Sequence, residues 1–199
     1  MLKLSTYSLK TGFQALLTPL RDLLIKLSVS PNALTLFTCS LCILYAFLLQ
    51  GKESSLFLII FPLFLFLRMA LNALDGMIAS HTQQKTALGS VLNEVCDIVS
   101  DVFLFGAFIY LLPIKIELWI ILIAFIFLLE FTSLAIFQAI AIRPYAGPFG
   151  KSDRAVFLGV VAVALLIFPN ASTLFMALSI LGIILTLLTL FNRIKLLSE

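Results

Sequence analysis

Apolar runs and short polar breaks alternate along almost the whole chain. The runs fall at about 31–50, 55–79, 88–112, 116–141, 154–169 and 172–192, each near the roughly 20 residues that a helix needs to cross a bilayer core. They predict six transmembrane helices. Ahead of them Leu9, Phe13, Leu16, Leu17, Leu20, Leu24 and Leu27 recur at helical spacing among Lys10, Arg21, Asp22 and Lys26. Such a stripe suits a helix lying in the headgroup layer, either as a plain anchor or as a cover for an active site. Thr18-Pro19 can restart that helix as a cap and first residue, and Ser30-Pro31 can do the same for the first span. The first 27 residues lack the short apolar core and cleavage site of a signal peptide. The expected fold is an all-α integral membrane protein. A juxtamembrane helix (1–29) precedes a six-helix bundle (30–199), and no linker or repeat divides the single domain 1–199.

Composition strengthens the membrane reading, with 62% hydrophobic residues, 12% charged residues and a mean hydropathy of +1.17. The few charges also orient the chain. With the N-terminus in the cytoplasm, that side receives Lys3, Lys10, Arg21, Lys26, Arg68, Lys85, Arg143, Lys151, Arg154, Arg193 and Lys195. Only Lys52 and Lys115 fall outside, so both termini and the 80–87 loop are expected on the cytoplasmic side. A net charge of +3 follows from this bias and gives no reason to expect nucleic acid.

Against this background the stretch 72–101 stands out, because ionisable side chains inside a span cost free energy and mark function by default. On a helical projection of about 100° per residue, Asn72, Asp75, Gly76 and Ala79 share an arc of about 100°. Asn93, Asp97, Asp101 and Glu94 share a similar arc on the next helix, and the short connection lets the two faces meet. Oxygen donors of this kind suit Mg²⁺, Mn²⁺ or Ca²⁺ rather than zinc. A polar network that merely ties two helices, or an ion or proton path, would also use such residues. Neighbouring carboxylates on one arc repel without a cation, however, and these acids gather near one face of the membrane.

Other polar residues carry less. Cys39 and Cys42 have C-x-x-C spacing, but they sit in an apolar run and read as small buried residues, as does Cys96. His81 is a single loop histidine. Glu130 lies in the fourth span, where it either faces a cavity or pairs with another helix. The segment 143–154 combines Arg143, Lys151 and Arg154 with helix-breaking Pro and Gly, which suits phosphate oxygens as well as topology.

The spacing of Asn72, Asp75, Gly76, Ala79, Ser80, Gly89, Asn93 and Asp97 resembles the signature of the CDP-alcohol phosphotransferases (also called CDP-alcohol phosphatidyltransferases). That signature reads Asp-x-x-Asp-Gly-x-x-Ala-Arg, eight residues, Gly-x-x-x-Asp-x-x-x-Asp. The eight-residue gap 81–88 is intact, and Ser30-Pro31-Asn32-x-x-Thr35 is similar to the family's Thr-Pro-Asn-x-x-Thr. Six spans behind a surface helix match as well. The chain departs from the signature with Asn at its first and third acidic positions and Ser80 in place of arginine. It resembles a branch of small bacterial members.

The resemblance implies a transfer of the phosphatidyl group from CDP-diacylglycerol to a small polar or phosphorylated alcohol, with release of CMP. It implies one or two Mg²⁺ or Mn²⁺ ions held by Asn72, Asp75, Asn93 and Asp97, with Asp97 also the base. It implies nucleotide contacts at Asn32, Thr35, Gly76, Ala79 and Gly89, a homodimer, and a cytoplasmic-facing site in a bacterial inner membrane among membrane lipid. Arg143, Lys151 and Arg154 are the expected acceptor contacts, with glycerol 3-phosphate the first acceptor to consider. Each Asn removes one negative charge, which Glu94 and Asp101 are placed to restore. The competing expectation is a divergent, non-catalytic protein that binds lipid or nucleotide.

Overall fold

A computed structural model describes residues 6–51 and 54–198. Lys3, Lys52 and the start of the expected surface helix lie outside the described residues, as do the side chains of Leu9 and Lys10. The described residues form seven α-helices and no strand. They are α1 (Thr6–Lys26), α2 (Pro31–Leu49), α3 (Ser54–His81), α4 (Ala87–Ala107), α5 (Ile116–Ile140), α6 (Lys151–Ile167) and α7 (Ser172–Lys195), followed by a 3₁₀ turn at Leu196–Ser198. Four of them, α2, α3, α5 and α7, are long and apolar enough to cross a bilayer. Helix α4 is interrupted by Glu94, Asp97 and Asp101, and α6 is 17 residues long. Many large apolar side chains point outward, among them Leu63, Phe131 and Phe191. A water-soluble protein seldom exposes apolar surface on this scale, whereas a bilayer covers it.

The helix ends follow local chemistry. Ser30 caps α2 by accepting the Ala33 N–H at 3.2 Å, as expected of Ser30-Pro31. Thr86 caps α4 in the same way through the Gly89 N–H at 3.0 Å. Thr18-Pro19 does not restart α1: the helix runs through Pro19, and the Thr18 hydroxyl donates back to the Gln14 carbonyl at 3.2 Å. Helix α1 ends instead at Ser28, with φ 56, where the Val29 N–H reaches the Leu24 carbonyl at 3.0 Å in a Schellman turn. Helix α4 stops at Ala107, before the expected 112. The apolar run continues through a turn toward Pro113, and the Trp119 indole N–H satisfies the Phe105 carbonyl at 2.8 Å. Helix α6 begins at Lys151 because the Asp153 carboxylate accepts the Gly150 N–H at 2.9 Å.

The chain divides into two compact units. The first comprises Met1–Leu41 and Phe66–Asp97, the second Cys42–Leu65 and Ile98–Glu199. In the first, Leu17 joins Leu34, Ala70, Leu74 and Ile78 in a core flanked by Phe13 and Leu24. The opposite side of α1 leaves Leu16 73% and Leu27 65% exposed. One face of α1 therefore packs on the protein while another stays apolar and uncovered.

In the second unit α5 packs along α7. Ser179, Gly182, Thr186 and Thr189 line the buried face of α7. The three hydroxyls donate to carbonyls one turn back at 2.7–2.8 Å, so this face is small without leaving a donor unsatisfied. A Cβ on Gly182 would meet Leu122 and Phe157 at 3.1 Å, which shows how near the helices come. The cysteines at 39, 42 and 96 are free and buried.

Candidate functional site

The expected metal and nucleotide residues fall together in the first unit. Asn72 and Asp75 come from α3, Asn93 and Asp97 from α4, and Asn32 and Thr35 from the start of α2. Helical spacing puts Asn72, Asp75 and Ala79 on one face of α3, and the cap at Thr86 sets where α4 begins.

Two cross-helix hydrogen bonds tie the set together. The Thr35 hydroxyl donates to Asp75 Oδ2 at 2.8 Å, and Asp75 is only 6% exposed. The Asn72 amide Nδ2 donates to Asp97 Oδ1 at 3.3 Å. Each carboxylate is thus held by a neutral donor from another helix, which orients it without neutralising its charge.

The glycines show where space is kept. A Cβ on Gly89 would lie 2.8 Å from Asn32 Oδ1 and 3.1 Å from the Thr86 hydroxyl, so the bare backbone lets Asn32 reach α4. A Cβ on Gly76 would meet nothing within 4 Å, so that stretch of α3 faces open space. Glu94 and Ala79 are half-buried nearby in the sequence, while Ser80, His81 and Lys85 are exposed.

The donor set fits a hard divalent cation. Asp75 and Asp97 supply carboxylate oxygens, and Asn93 Oδ1 is buried with no hydrogen-bond partner among the described residues. A buried acceptor is ordinarily satisfied, so this oxygen matches a site whose partner is an ion. No group of three His, Cys, Asp or Glu side chains that could hold a metal occurs among the described residues. The replacement of two signature acids by Asn accounts for that: two carboxylates and two amides remain.

A second polar centre lies in the second unit, and sequence reading divided its members among other roles. Arg154, expected at the acceptor, is 2% exposed; its Nε and Nη2 each lie 2.8 Å from Asp101 Oδ2. Its Nη1 reaches Glu130 Oε1 at 2.7 Å and the Phe149 carbonyl at 3.4 Å. Asp101, expected as a compensating acid, thus directs a carboxylate oxygen at a guanidinium, and it too is 2% exposed. Glu130 resolves toward helix pairing. Arg193 Nη1 lies 3.6 Å from Glu130 Oε1 and donates to the Ser133 hydroxyl. Arg193 is 5% exposed, although in the sequence it reads as a topology-setting charge.

This centre anchors the segment before α6. The Phe149 N–H donates to the Thr189 hydroxyl at 2.9 Å, and Gly147 adopts φ 124 directly against Thr189. Of the expected acceptor cations, Arg143 is exposed with its guanidinium 5.8 Å from the Tyr145 ring centroid, and Lys151 is half-buried at the start of α6.

Residues 28–188 match the family model for CDP-alcohol phosphatidyltransferase. The inner membrane protein YnbA of Escherichia coli K12 is 40% identical over 167 residues, covering 84% of this chain and 83% of that protein. A phosphatidylinositol phosphate synthase of Corynebacterium glutamicum is 34% identical over 94 residues, 47% of this chain and 42% of the relative. Among solved structures, the phosphatidylinositol phosphate synthase PgsA1 of Mycobacterium tuberculosis with CDP-DAG bound superposes with a TM-score of 0.68. That match has 18% identity and covers 89% of this chain and 91% of that one, so the likeness is one of fold. The same enzyme in complex with manganese and citrate gives the same TM-score.

Proposed function

The chain belongs to the CDP-alcohol phosphatidyltransferase family, and from that premise we propose that it transfers the phosphatidyl group of CDP-diacylglycerol to an alcohol, releasing CMP. The observation that carries this reading is the joining of Thr35 to Asp75 and of Asn72 to Asp97 across helices, in the same unit as an Asn93 oxygen that has no hydrogen-bond partner among the described residues. In this reading α4 and α6 cross the membrane with the four more apolar helices, residues 1–199 act as one membrane domain, and α1 lies in the headgroup layer. The expected setting is a bacterial inner membrane with both termini and the site facing the cytoplasm, and the expected assembly is a homodimer. The inner-membrane relative and the charge bias support the setting.

The residues divide the work by chemistry. Asp75, Asn93 and Asp97 are the oxygen donors for Mg²⁺ or Mn²⁺, with Asn72 beside them. When bound, such an ion neutralises the donor diphosphate and the charge developing on the leaving nucleotide. Thr35 fixes Asp75, and Asn72 fixes Asp97 so that its carboxylate can accept the proton of the acceptor hydroxyl. Gly76 and Ala79 leave room along α3 for the nucleotide, and Gly89 holds Asn32 in place. Arg143 and Lys151 supply positive charge for an acceptor such as glycerol 3-phosphate. Arg154 serves that segment by holding it, because its guanidinium is already engaged inside the protein.

The test is a purified-protein assay with CDP-diacylglycerol, Mg²⁺ or Mn²⁺, and a panel of alcohols headed by glycerol 3-phosphate. CMP release that disappears in Asp75→Ala and Asp97→Ala is the expected result. Donor binding without CMP release across the whole panel would refute catalysis and leave a lipid- or nucleotide-binding protein.

A further inference from the structure

We infer that the last turns of α2 and α4 form a groove that holds the upper part of a phospholipid acyl chain, apart from the donor site. The inference rests on the membrane topology of the reading above and not on its chemistry.

The groove lies wholly in the second unit, whereas the donor residues belong to the first. Its volume is about 260 Å³, and it opens to the surface, since Phe47, Val102 and Phe103 in its lining are exposed. Small residues make its floor. Ala46 and Ala107 are buried, and a Cβ on Gly106 would meet nothing within 4 Å. At Gly182 the missing side chain lets helices close up, but at Gly106 it keeps a space open. The rings of Phe47 and Phe103, with centroids 6.1 Å apart, wall the groove from one helix to the other.

Depth and polarity identify the occupant. Gln50 falls in the polar break between α2 and α3, so it marks the headgroup level, and Ala46 lies about one turn below it. Tyr110, exposed just beyond α4, is a residue type that favours that same level. With α2 entering the bilayer from the cytoplasmic side, the groove lies in the leaflet facing away from the cytoplasm. Its lining carries no charge, and its one polar side chain, Gln50, stands at the aqueous end of an apolar trough about 6–8 Å long. An ester-linked chain has the same order, a carbonyl that accepts a hydrogen bond followed by hydrocarbon. A helix of a second copy, about 10–12 Å across, would ride on the exposed Phe47 ring and leave the recess unfilled. Hydrocarbon is already out of water in a bilayer, so retention comes from close packing in the groove and from the Gln50 amide.

The experiment uses the full chain in nanodiscs of phosphatidylethanolamine and phosphatidylglycerol, with a phosphatidylethanolamine carrying a diazirine in the upper part of one acyl chain. Labelled residues are mapped by mass spectrometry after illumination. Phe47, Val102 and Phe103 are expected to be labelled about fivefold more heavily than Leu56, Ile120 and Phe168, apolar residues exposed at the same end of α3, α5 and α6. Gly106→Leu fills the space and is expected to bring the groove down to the level of those three, with a melting midpoint within about 2 °C of native. Gln50→Leu is expected to remove most of the enrichment, and both variants to release CMP at the native rate. Even labelling across the two sets, or undiminished labelling in Gly106→Leu, would overturn the inference and leave the transfer reaction standing. Cross-linking of two copies through an oxidised Phe103→Cys variant would give the groove to a second copy and overturn it as well. Absence of CMP release from the native chain, with the labelling pattern intact, would sink the transfer reaction alone.

Discussion

Replacement of Asp101 by Asn is expected to lower stability strongly and to leave metal affinity alone. Asp101 and Arg154 are each 2% exposed, and Oδ2 of the one lies 2.8 Å from both Nε and Nη2 of the other. An amide at 101 can accept at most part of this and removes the negative charge, leaving Arg154 with Glu130 as its remaining carboxylate. Removing one partner of a buried pair costs about 3–5 kcal/mol, because the other charge stays desolvated. For a protein of this length each kcal/mol shifts the melting midpoint by about 2–4 °C, so the expected loss is roughly 6–20 °C. Thermal unfolding in detergent, followed by tryptophan fluorescence from the single Trp119, measures it. The double variant Asp101→Leu/Arg154→Met removes both charges together and is expected to recover most of the loss. The Mn²⁺ Kd of Asp101→Asn is expected within about threefold of native. A shift under about 2 °C combined with a tenfold weaker Kd would refute this account and return Asp101 to the metal site.

Two glycines give further tests. Gly89→Ala would drive a Cβ to 2.8 Å from Asn32 Oδ1, so the Asn32 side chain must swing away; the expected outcome is a KM for CDP-diacylglycerol raised about tenfold, equivalent to about 1.4 kcal/mol, with a melting midpoint near native. Gly147→Ala combines a φ of 124 with a Cβ 2.7 Å from the Thr189 backbone. It is expected to cost about 2 kcal/mol or more and to loosen the segment that carries Arg143, read as a lower midpoint and faster proteolysis between residues 141 and 150.

The helices were legible because the chain interrupts its apolar runs with polar, Pro and Gly residues where helices end. Where that punctuation is missing, the reading fails. Nothing in the apolar run Phe108–Leu112 marks the end of α4, since its turn is itself partly buried and a distant indole caps it. The gathering of Asn72, Asp75, Asn93 and Asp97 in one unit was also legible, because these residues keep helical register on two helices close in sequence. Asp101 shows the limit of register. It lies about 80° from Asn93 and so reads as part of the same arc, yet its partner Arg154 is 53 residues away, and no single-helix projection can reveal which other helix faces it. Arg193 and Ser133 are 60 residues apart and were hidden for the same reason. The stripe Ser179, Gly182, Thr186 and Thr189 on α7 is the signal that Arg193 continues a buried face: it falls four residues beyond Thr189, one further turn of that stripe.

The acids of this chain therefore separate by what balances them. Asp101 and Glu130 face Arg154 and Arg193, so that two carboxylates meet two guanidiniums. In the first unit Asp75 and Asp97 instead accept hydrogen bonds from the neutral donors Thr35 and Asn72. Substituting Asn at 72 and 93 then reads less as loss of a site than as adjustment of its charge. With aspartate at both positions the same unit would carry two more negative charges. With asparagine, the amide at 72 donates to Asp97 Oδ1 and holds that carboxylate in the orientation the proposed general base requires.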